Sequence, residues 1–267
     1  MRKKTKKIVQ DLLSDDESLA RVGAINAIRL SPKKISTELI VALLNAVGEY
    51  EEFIDLLLPL LHALSYVTIK NPDKMITTLR KKTIWENSYV REIAVNLLGW
   101  TGRPQATEIL WDWYSTEKIT LVRSVIASSL GDLGSKKCVS FLLRILEQDK
   151  EEDSVKGSAI ESLGRLGVHA TEAVPILTEI IEKKPYSDYA WIAVEALGRI
   201  GDSRAIPFLN RALYFEDKDL SECSAIALGE IGGEQAEEAL SIRLKSAHGI
   251  LSEYIKDALE IIRKREE

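Results

Sequence analysis

The side chains best suited to binding lie in one aromatic stretch of the chain. The sequence contains 5 Trp, 8 Tyr and 4 Phe, yet six of these residues fall between positions 85 and 114. They are Trp85, Tyr89, Trp100, Trp111, Trp113 and Tyr114. Tryptophans that stay exposed on a folded surface commonly anchor a partner protein. The chemistry to expect from this stretch is therefore recognition of a partner.

Residues that usually catalyse reactions or bind metals are scattered. The three histidines, His62, His169 and His248, are far apart, and no His-x-x-x-His or Cys-x-x-Cys motif or phosphate-binding glycine loop is present. Cys138 and Cys223 have neither the spacing of a disulfide framework nor that of a metal site, so we expect two small core residues. The sequence predicts no catalytic, metal or cofactor site.

A short element returns along the chain with a regular period. Its first glycine is separated from the next by 32, 33, 34 and 31 residues. The five copies are Leu97-Leu-Gly-Trp-Thr-Gly102, Ser129-Leu-Gly-Asp-Leu-Gly134, Ser162-Leu-Gly-Arg-Leu-Gly167, Ala196-Leu-Gly-Arg-Ile-Gly201 and Ala227-Leu-Gly-Glu-Ile-Gly232. Weaker copies place Arg29, Ser65 and Glu260 at the first glycine position. Such a period indicates stacked repeats with atypical ends.

Each period predicts two helices, A and B. From Tyr189 to Ile200 the apolar residues recur at helical spacing, which is typical of one buried helix face. Gly201 is expected to end this helix A in a left-handed conformation, and Asp202 to cap the next helix. Helix B is predicted over residues 205–213. The first glycine lies inside helix A at a cost of about 1 kcal/mol, and we attribute it to a closely approaching neighbouring helix.

The Ala-Leu-Gly-x-Ile-Gly-Asp element with a helix on each side resembles the short HEAT-like repeats known from phycobiliprotein lyases. Such units also carry Val-Arg before the first glycine, matched here by Val90-Arg91, Val122-Arg123 and Val155-Lys156. The resemblance implies an all-α fold: a right-handed α-solenoid of about seven to eight two-helix repeats in a single domain, residues 1–267. Residues 1–84 would be degenerate repeats, 85–248 regular ones and 249–267 a C-terminal capping helix.

The same resemblance implies that helices B line a concave binding side. Aligned helices B place a row of alternating charge there: Asp112, Arg144, Glu179 and Arg211, with Asn210 beside the last. Such alternation favours a ladder of mutual ion pairs. The alternative interpretation is a mixed polar groove for a peptide or a folded partner.

Alignment of the repeats also predicts which tryptophans are buried and which face solvent. Trp111 and Trp113 cannot share a helix face, because residues two apart point about 200° apart. Trp113 aligns with apolar residues and is predicted in the core, whereas Trp111 occupies a position that is often polar. Trp100 occupies a slot that is charged in the other repeats, which indicates a solvent-facing side chain on the opposite edge. We select Trp100, Trp111, Asp112, Arg144, Glu179, Asn210 and Arg211 as candidate partner-binding residues.

Three functions are compatible with these patterns. The first is a non-catalytic scaffold or regulatory protein that binds another protein or a peptide. The second comes from the resemblance, because HEAT-like DNA alkylation-repair glycosylases use a carboxylate framed by tryptophans, as Asp112 beside Trp111 would be. The third, a bilin lyase-type chaperone, is analogy of fold alone.

Composition disfavours nucleic acid as the partner. The formal net charge is -5, with a sequence pI near 5.5, whereas phosphate-backbone binding needs a basic surface. Arg80, Lys81 and Lys82, with Lys70 and Lys74, form only a modest basic patch, and the acidic run 147–153 is expected to be a solvated connection. No segment has the length and apolarity of a membrane span or a secretory signal, so we expect a cytoplasmic protein.

Overall fold

The computed structural model describes residues 3–80, 86–183, 187 and 189–266. It divides the chain into two compact units, Met1–Leu133 and Gly134–Glu267, which we call unit 1 and unit 2. Trp85, Lys81 and Lys82 lie outside the described residues. The described residues contain helices and no strand, and the predicted all-α fold is confirmed.

Unit 1 consists of eight described α-helices and one described short 3-10 helix, Pro32–Lys34. The α-helices are α1 (Lys3–Leu12), α2 (Glu17–Ala27), α3 (Thr37–Glu49), α4 (Ile54–Lys70), α5 (Pro72–Leu79), α6 (Ser88–Trp100), α7 (Gln105–Thr116) and α8 (Thr120–Asp132). Helices α2, α4, α6 and α8 are the A helices, and successive members of this set pack on one another.

Unit 2 continues the alternation. Its α-helices are α9 (Lys136–Leu146), α10 (Asp153–Leu166), α11 (Val174–Lys183), α12 (Ala190–Ile200), α13 (Ile206–Ala212), α14 (Lys218–Ile231), α15 (Glu234–Leu244) and α16 (Ile250–Glu266). The A helices α10, α12, α14 and α16 pack consecutively. Two 3-10 helices, Gly167–Ala173 and Ser203–Ala205, precede α11 and α13, so the predicted helix B over 205–213 begins as a 3-10 turn. Helix α16 occupies the segment predicted as a capping helix.

The first glycine of the motif lets neighbouring A helices approach closely at Gly99, Gly164, Gly198 and Gly229. A Cβ added at Gly198 would lie 2.8 Å from the Cα of Ala227, and one at Gly229 would lie 2.9 Å from the Cα of Ala258. Each of these alanines stands two positions before the motif glycine position of the next repeat. The motif is therefore a self-complementary contact, with small residue against glycine, and the predicted reason for the glycine is confirmed.

The second glycine ends the A helix. Gly102, Gly134, Gly167, Gly201 and Gly232 all have φ between 54° and 73°, a region in which residues with a Cβ are strained. After Gly201 the Asp202 side chain accepts a hydrogen bond from the Arg204 backbone N–H at 2.9 Å. Hydrogen bonds from Arg204 lower the pKa of Asp202 below its ordinary value. The predicted stop and cap both form.

The core is built from the apolar faces that the period predicted. Trp113 is buried, as the alignment of helices B required, and so is Cys138. Cys223 is only half-buried, which corrects the expectation of two core cysteines. It lies on α14, where desolvation raises the pKa of its thiol above the ordinary value.

Candidate protein-binding surface

Trp100 is exposed at the C-terminal end of α6. Its relative exposure is 55%, which confirms the prediction that it faces solvent. In α10 and α12 the same slot holds Arg165 and Arg199, each paired with a glutamate one turn earlier, at 3.7 Å from Glu161 and 2.5 Å from Glu195. The repeat formed by α6 and α7, which we call repeat 3, has the large apolar ring of Trp100 in place of such a pair. An exposed indole costs free energy in water unless a partner covers it.

Trp111 is held in a stack. Its ring lies 5.4 Å from that of Tyr114 at an interplanar angle of 12°, and the Arg123 guanidinium lies 4.1 Å from the Tyr114 ring centroid. Arg123 also donates a hydrogen bond of 2.8 Å to the Tyr114 hydroxyl. Trp111 is half-buried as a result. It is a less available anchor than Trp100.

Asp112 is exposed on α7, whereas its neighbour Trp113 is buried. Trp113 is 3% exposed in the core, so it does not frame the Asp112 carboxylate. Of the two adjacent tryptophans only Trp111 is partly accessible. The pair of framing rings that a glycosylase-like pocket would need is not formed by these residues.

Two members of the charged row in unit 2, Glu179 and Arg211, form ion pairs with residues outside the row. Arg144, Glu179, Asn210 and Arg211 are all exposed. Arg211 pairs with Glu182 of the preceding helix B, and Glu179 pairs with Lys183 of its own helix. The guanidinium groups of Arg144 and Arg211 also lie over the rings of Phe141 and Phe208, at 5.9 and 5.5 Å. Glu179 and Arg211 therefore do not pair with each other: Glu179 pairs with an i, i+4 neighbour, and Arg211 pairs with a different glutamate of the preceding repeat.

A buried ion pair joins the two helices of repeat 3. The Arg91 Nε and Nη2 atoms donate to both carboxylate oxygens of Glu117, at 2.8 and 3.2 Å. A Glu117 oxygen also accepts from the backbone N–H groups of Lys118 and Ile119. Desolvation raises the pKa of Glu117, but these hydrogen bonds outweigh it, so the pKa lies below its ordinary value. The arginine of the Val-Arg pair is therefore structural here.

The comparisons agree with this arrangement of helices. The family model for HEAT repeats matches residues 119–198 and 182–259, which together exceed half of the chain. The chain belongs to the HEAT-repeat family. No curated protein matches the sequence.

Three solved structures match most of this chain at low sequence identity. The complex of CpcE and CpcF of phycocyanin lyase from Nostoc sp. PCC7120 is 18% identical over 98% of this chain and 96% of that one, with a TM-score of 0.43. Human deoxyhypusine hydroxylase in complex with glycerol is 15% identical over 85% and 98%, with a TM-score of 0.35. An engineered protein is 17% identical over 99% and 98%, with a TM-score of 0.39.

One feature of the HEAT repeats in unit 2 is not predicted by the sequence. Lys156 of α10, the lysine of Val155-Lys156, is only 7% exposed. It lines a cleft of about 320 Å³ between α9, α10 and α11. Glu179, chosen from the charged row, lies at the edge of the same cleft. The lysine was visible in the sequence as a departure from arginine, but its burial depends on packing.

The acidic side chains do not gather into a metal site. Within the described ranges no three His, Cys, Asp or Glu side chains are placed to hold a metal ion. Glu147 and Asp149 of the acidic run are exposed as expected, whereas Glu151 is buried. None of the described helices has the length and apolarity to cross a bilayer.

Proposed function

We propose that this HEAT-repeat chain is a non-catalytic scaffold that binds another protein, with Trp100 as the main anchor. The observation that carries the proposal is the 55% exposure of Trp100 in a slot that α10 and α12 fill with ion-paired arginines. Tryptophan is among the residues most enriched at interface hot spots. A repeat array supports this role because each repeat adds surface for binding without needing an active site.

The candidate residues of helices B would contribute a polar rim. Exposed Arg144, Asn210 and Arg211 offer hydrogen-bond donors, and Asp112 offers a carboxylate in unit 1. Rim charges of this kind affect association rate and specificity more than affinity. The proposal also includes a single array spanning both units, as the regular period suggests.

Photo-cross-linking from position 100 tests the anchor. A benzoylphenylalanine replaces Trp100 in the full chain, and in a matched protein it replaces Trp191, which is 47% exposed in unit 2. We expect one stoichiometric protein to cross-link from position 100 and not from position 191. The purified partner should then bind the Trp100→Ala variant at least about tenfold more weakly, corresponding to about 1.4 kcal/mol.

The same experiment can reject the proposal. Equal cross-links from both positions would indicate nonspecific contact. Unchanged affinity of the Trp100→Ala variant for the isolated partner would remove Trp100 as the anchor.

A further inference from the structure

Helix α2 in unit 1 buries its small residues and exposes its large apolar ones. Leu19, Val22 and Ile25 all face solvent. The buried positions recur at i, i+3, i+4 and i+7, as on one helix face, and they are Ala20, Gly23, Ala24 and Ala27. A Cβ added at Gly23 would lie 2.9 Å from the Leu12 Cγ. Helix α1 therefore packs closely on the small face, and the large side chains are left outside.

Other A helices do not have this arrangement. Helix α10 exposes none of its large apolar side chains, and it buries Val155, Ile160, Leu163 and Leu166. On α4, the next A helix after α2, Leu58 is exposed as well. The outer sides of α2 and α4 thus form an apolar surface that no described helix covers.

A groove follows this surface between the two helices. It consists of two clefts of about 550 and 540 Å³ that share Arg21 and Asp55 in their lining. We call it the α2–α4 groove. From Glu17 to Ile28 its lining extends along α2 for about 16 Å, because a helix rises 1.5 Å per residue. That length accommodates about three turns of a docked helix.

The two ends of the α2–α4 groove differ in chemistry. At the end where α2 and α4 begin, the lining contains three exposed carboxylates and the exposed ring of Phe53. The carboxylates are those of Glu17, Glu52 and Asp55, and none of them forms an ion pair among the described residues. They exceed the single positive charge of Arg21, which lies where the two clefts meet. The other end is lined by Ile25, Ile28, Leu58, Pro59 and His62.

Tyr50 shows that the acidic end carries a negative field. Its ring lies 6.2 Å from that of Phe53. Burial raises the pKa of Tyr50 above its ordinary value, and the charges of Glu49, Asp15 and Glu17 raise it further. Unpaired carboxylates in such a field attract a cationic partner.

We propose that the α2–α4 groove binds a short amphipathic helix of another protein, with apolar side chains on one face and lysine or arginine at its C-terminal end. Apolar residues at i, i+3, i+4 and i+7 contact Ile25, Ile28 and Leu58, as in other helix-in-groove complexes. The cations face Glu17, Glu52 and Asp55. The docked helix then runs antiparallel to α2 and α4, which also suits the helix dipoles. This surface is separate from the Trp100 anchor and goes beyond it.

The probe is the peptide acetyl-Gln-Leu-Ala-Gln-Leu-Leu-Ala-Gln-Leu-Ala-Lys-Lys-amide, titrated into the full chain carrying labelled Ile and Leu methyl groups. Its leucines lie on one helical face, and its length matches the groove. We expect shifts at Ile25, Ile28 and Leu58. A matched peptide with two glutamates in place of the lysines should bind at least about tenfold more weakly.

A pair of leucine variants tests the apolar contact. Leu58→Ser should weaken the lysine peptide by about tenfold or more. Leu58 is 63% exposed, so the change leaves the core intact. The control is Leu121→Ser on α8, where the leucine is 60% exposed and lies outside the groove. It should change the affinity by less than about twofold.

A pair of glutamate variants tests the charge. Glu52→Lys should weaken the lysine peptide by about fivefold or more and should not weaken the glutamate peptide. The control Glu108→Lys makes the same charge change at an exposed residue of α7. It should change the affinity of either peptide by less than about twofold. Trp100→Ala should leave the affinity for the lysine peptide unchanged, which separates this surface from the Trp100 anchor.

Two results would overturn the proposal in the titrations. One is the absence of shifts at these methyl groups with about 1 mM lysine peptide, and the other is equal affinity for the two peptides. Sedimentation of the full chain alone tests a second copy as the occupant. A dimer that Leu58→Ser dissociates and Leu121→Ser does not would place a second copy in the groove and would also overturn the proposal.

Discussion

Repeat 3 (α6 and α7) and repeat 5 (α10 and α11) differ at the joint of the repeat, by which we mean the contact between the cation eight positions before the first glycine and the end of helix B. In unit 1 the Arg91 fork meets the Glu117 carboxylate, and the side chains are 15% and 6% exposed. In unit 2 Lys156 stands in the same register with no such partner among the described residues and borders a cleft. The difference shows that one repeat pattern can give a closed structural joint in one copy and an open pocket in another.

The chemistry of the two cations accounts for part of this difference. A guanidinium is a planar fork that matches both oxygens of a carboxylate, so Arg91 can satisfy Glu117 completely within the chain. An ammonium is a compact point charge on a flexible stem and can adapt to a ligand. Arginine at this position thus favours permanent closure, and lysine allows exchangeable pairing.

The largest expected effect comes from opening the closed joint. Arg91→Met leaves the Glu117 carboxylate buried without its counter-ion, so the free energy of unfolding should fall by about 3 kcal/mol. Urea unfolding followed by circular dichroism measures the loss. The control is Arg103→Met, because the Arg103–Asp73 pair is exposed, with side chains 48% and 79% accessible; that change should stay below about 0.5 kcal/mol. Equal losses in both variants would mean that burial does not distinguish the pairs.

The lysine of repeat 5 should respond much less. Lys156→Met keeps the buried aliphatic stem of Lys156, which is 7% exposed, and removes an amino group that has no ion pair among the described residues, so the free energy of unfolding should change by less than about 0.5 kcal/mol. The same urea experiment measures it. Lys183→Met, at an exposed pair, serves as control with a change within about 0.5 kcal/mol. A loss comparable to that of Arg91→Met would make the two joints equivalent after all.

Alanine substitutions at two glycines test the close approach of the A helices independently of the ion pair. Gly198→Ala brings a Cβ to 2.8 Å from Ala227 Cα, so overpacking should exceed the gain in helix propensity and lower stability by about 1 kcal/mol. At Gly157, one residue after Lys156, a Cβ would meet only Ile192 and Tyr189 at 3.7 and 3.8 Å. Gly157→Ala should therefore raise stability by about 0.5–1 kcal/mol. Thermal unfolding compares the pair, and a shift of the same sign in both would contradict the close approach of the A helices.

Acid should loosen the closed joint through Glu117. Its folded pKa is below the ordinary value of 4.5 because hydrogen bonds from Arg91 and two backbone N–H groups outweigh desolvation. The stabilisation is complete above pH 4.5 and is lost as the pH falls through the folded pKa. At neutral pH the free energy of unfolding of the Glu117→Gln variant should be lower than that of the original chain. Below pH 4.5 it should depend less on pH than that of the original chain. A parallel pH profile would assign the acid sensitivity to other carboxylates.

Much of the fold could be predicted from the sequence because the motif is local and periodic. The two glycines of each copy predicted a close contact and a helix end, and the alanines at Ala227 and Ala258 are the matching surfaces. The candidate site was harder. Trp100 was predicted to be exposed because its slot is charged in other repeats. The prediction that Glu179 and Arg211 pair with each other was wrong, because the choice of ion-pair partner depends on side-chain rotamers.

The sequence by itself determined the period, the helix pairs and the position of each turn, since these depend on glycine conformations and helical spacing within about 30 residues. Tertiary structure decided which charges are buried and which are paired. Arg91 and Lys156 stand in equivalent positions of the pattern, yet only the packing of the helix ends places Glu117 against one and leaves the other beside a cleft. Pairing of buried charges depends on three-dimensional distance, which a one-dimensional repeat does not contain.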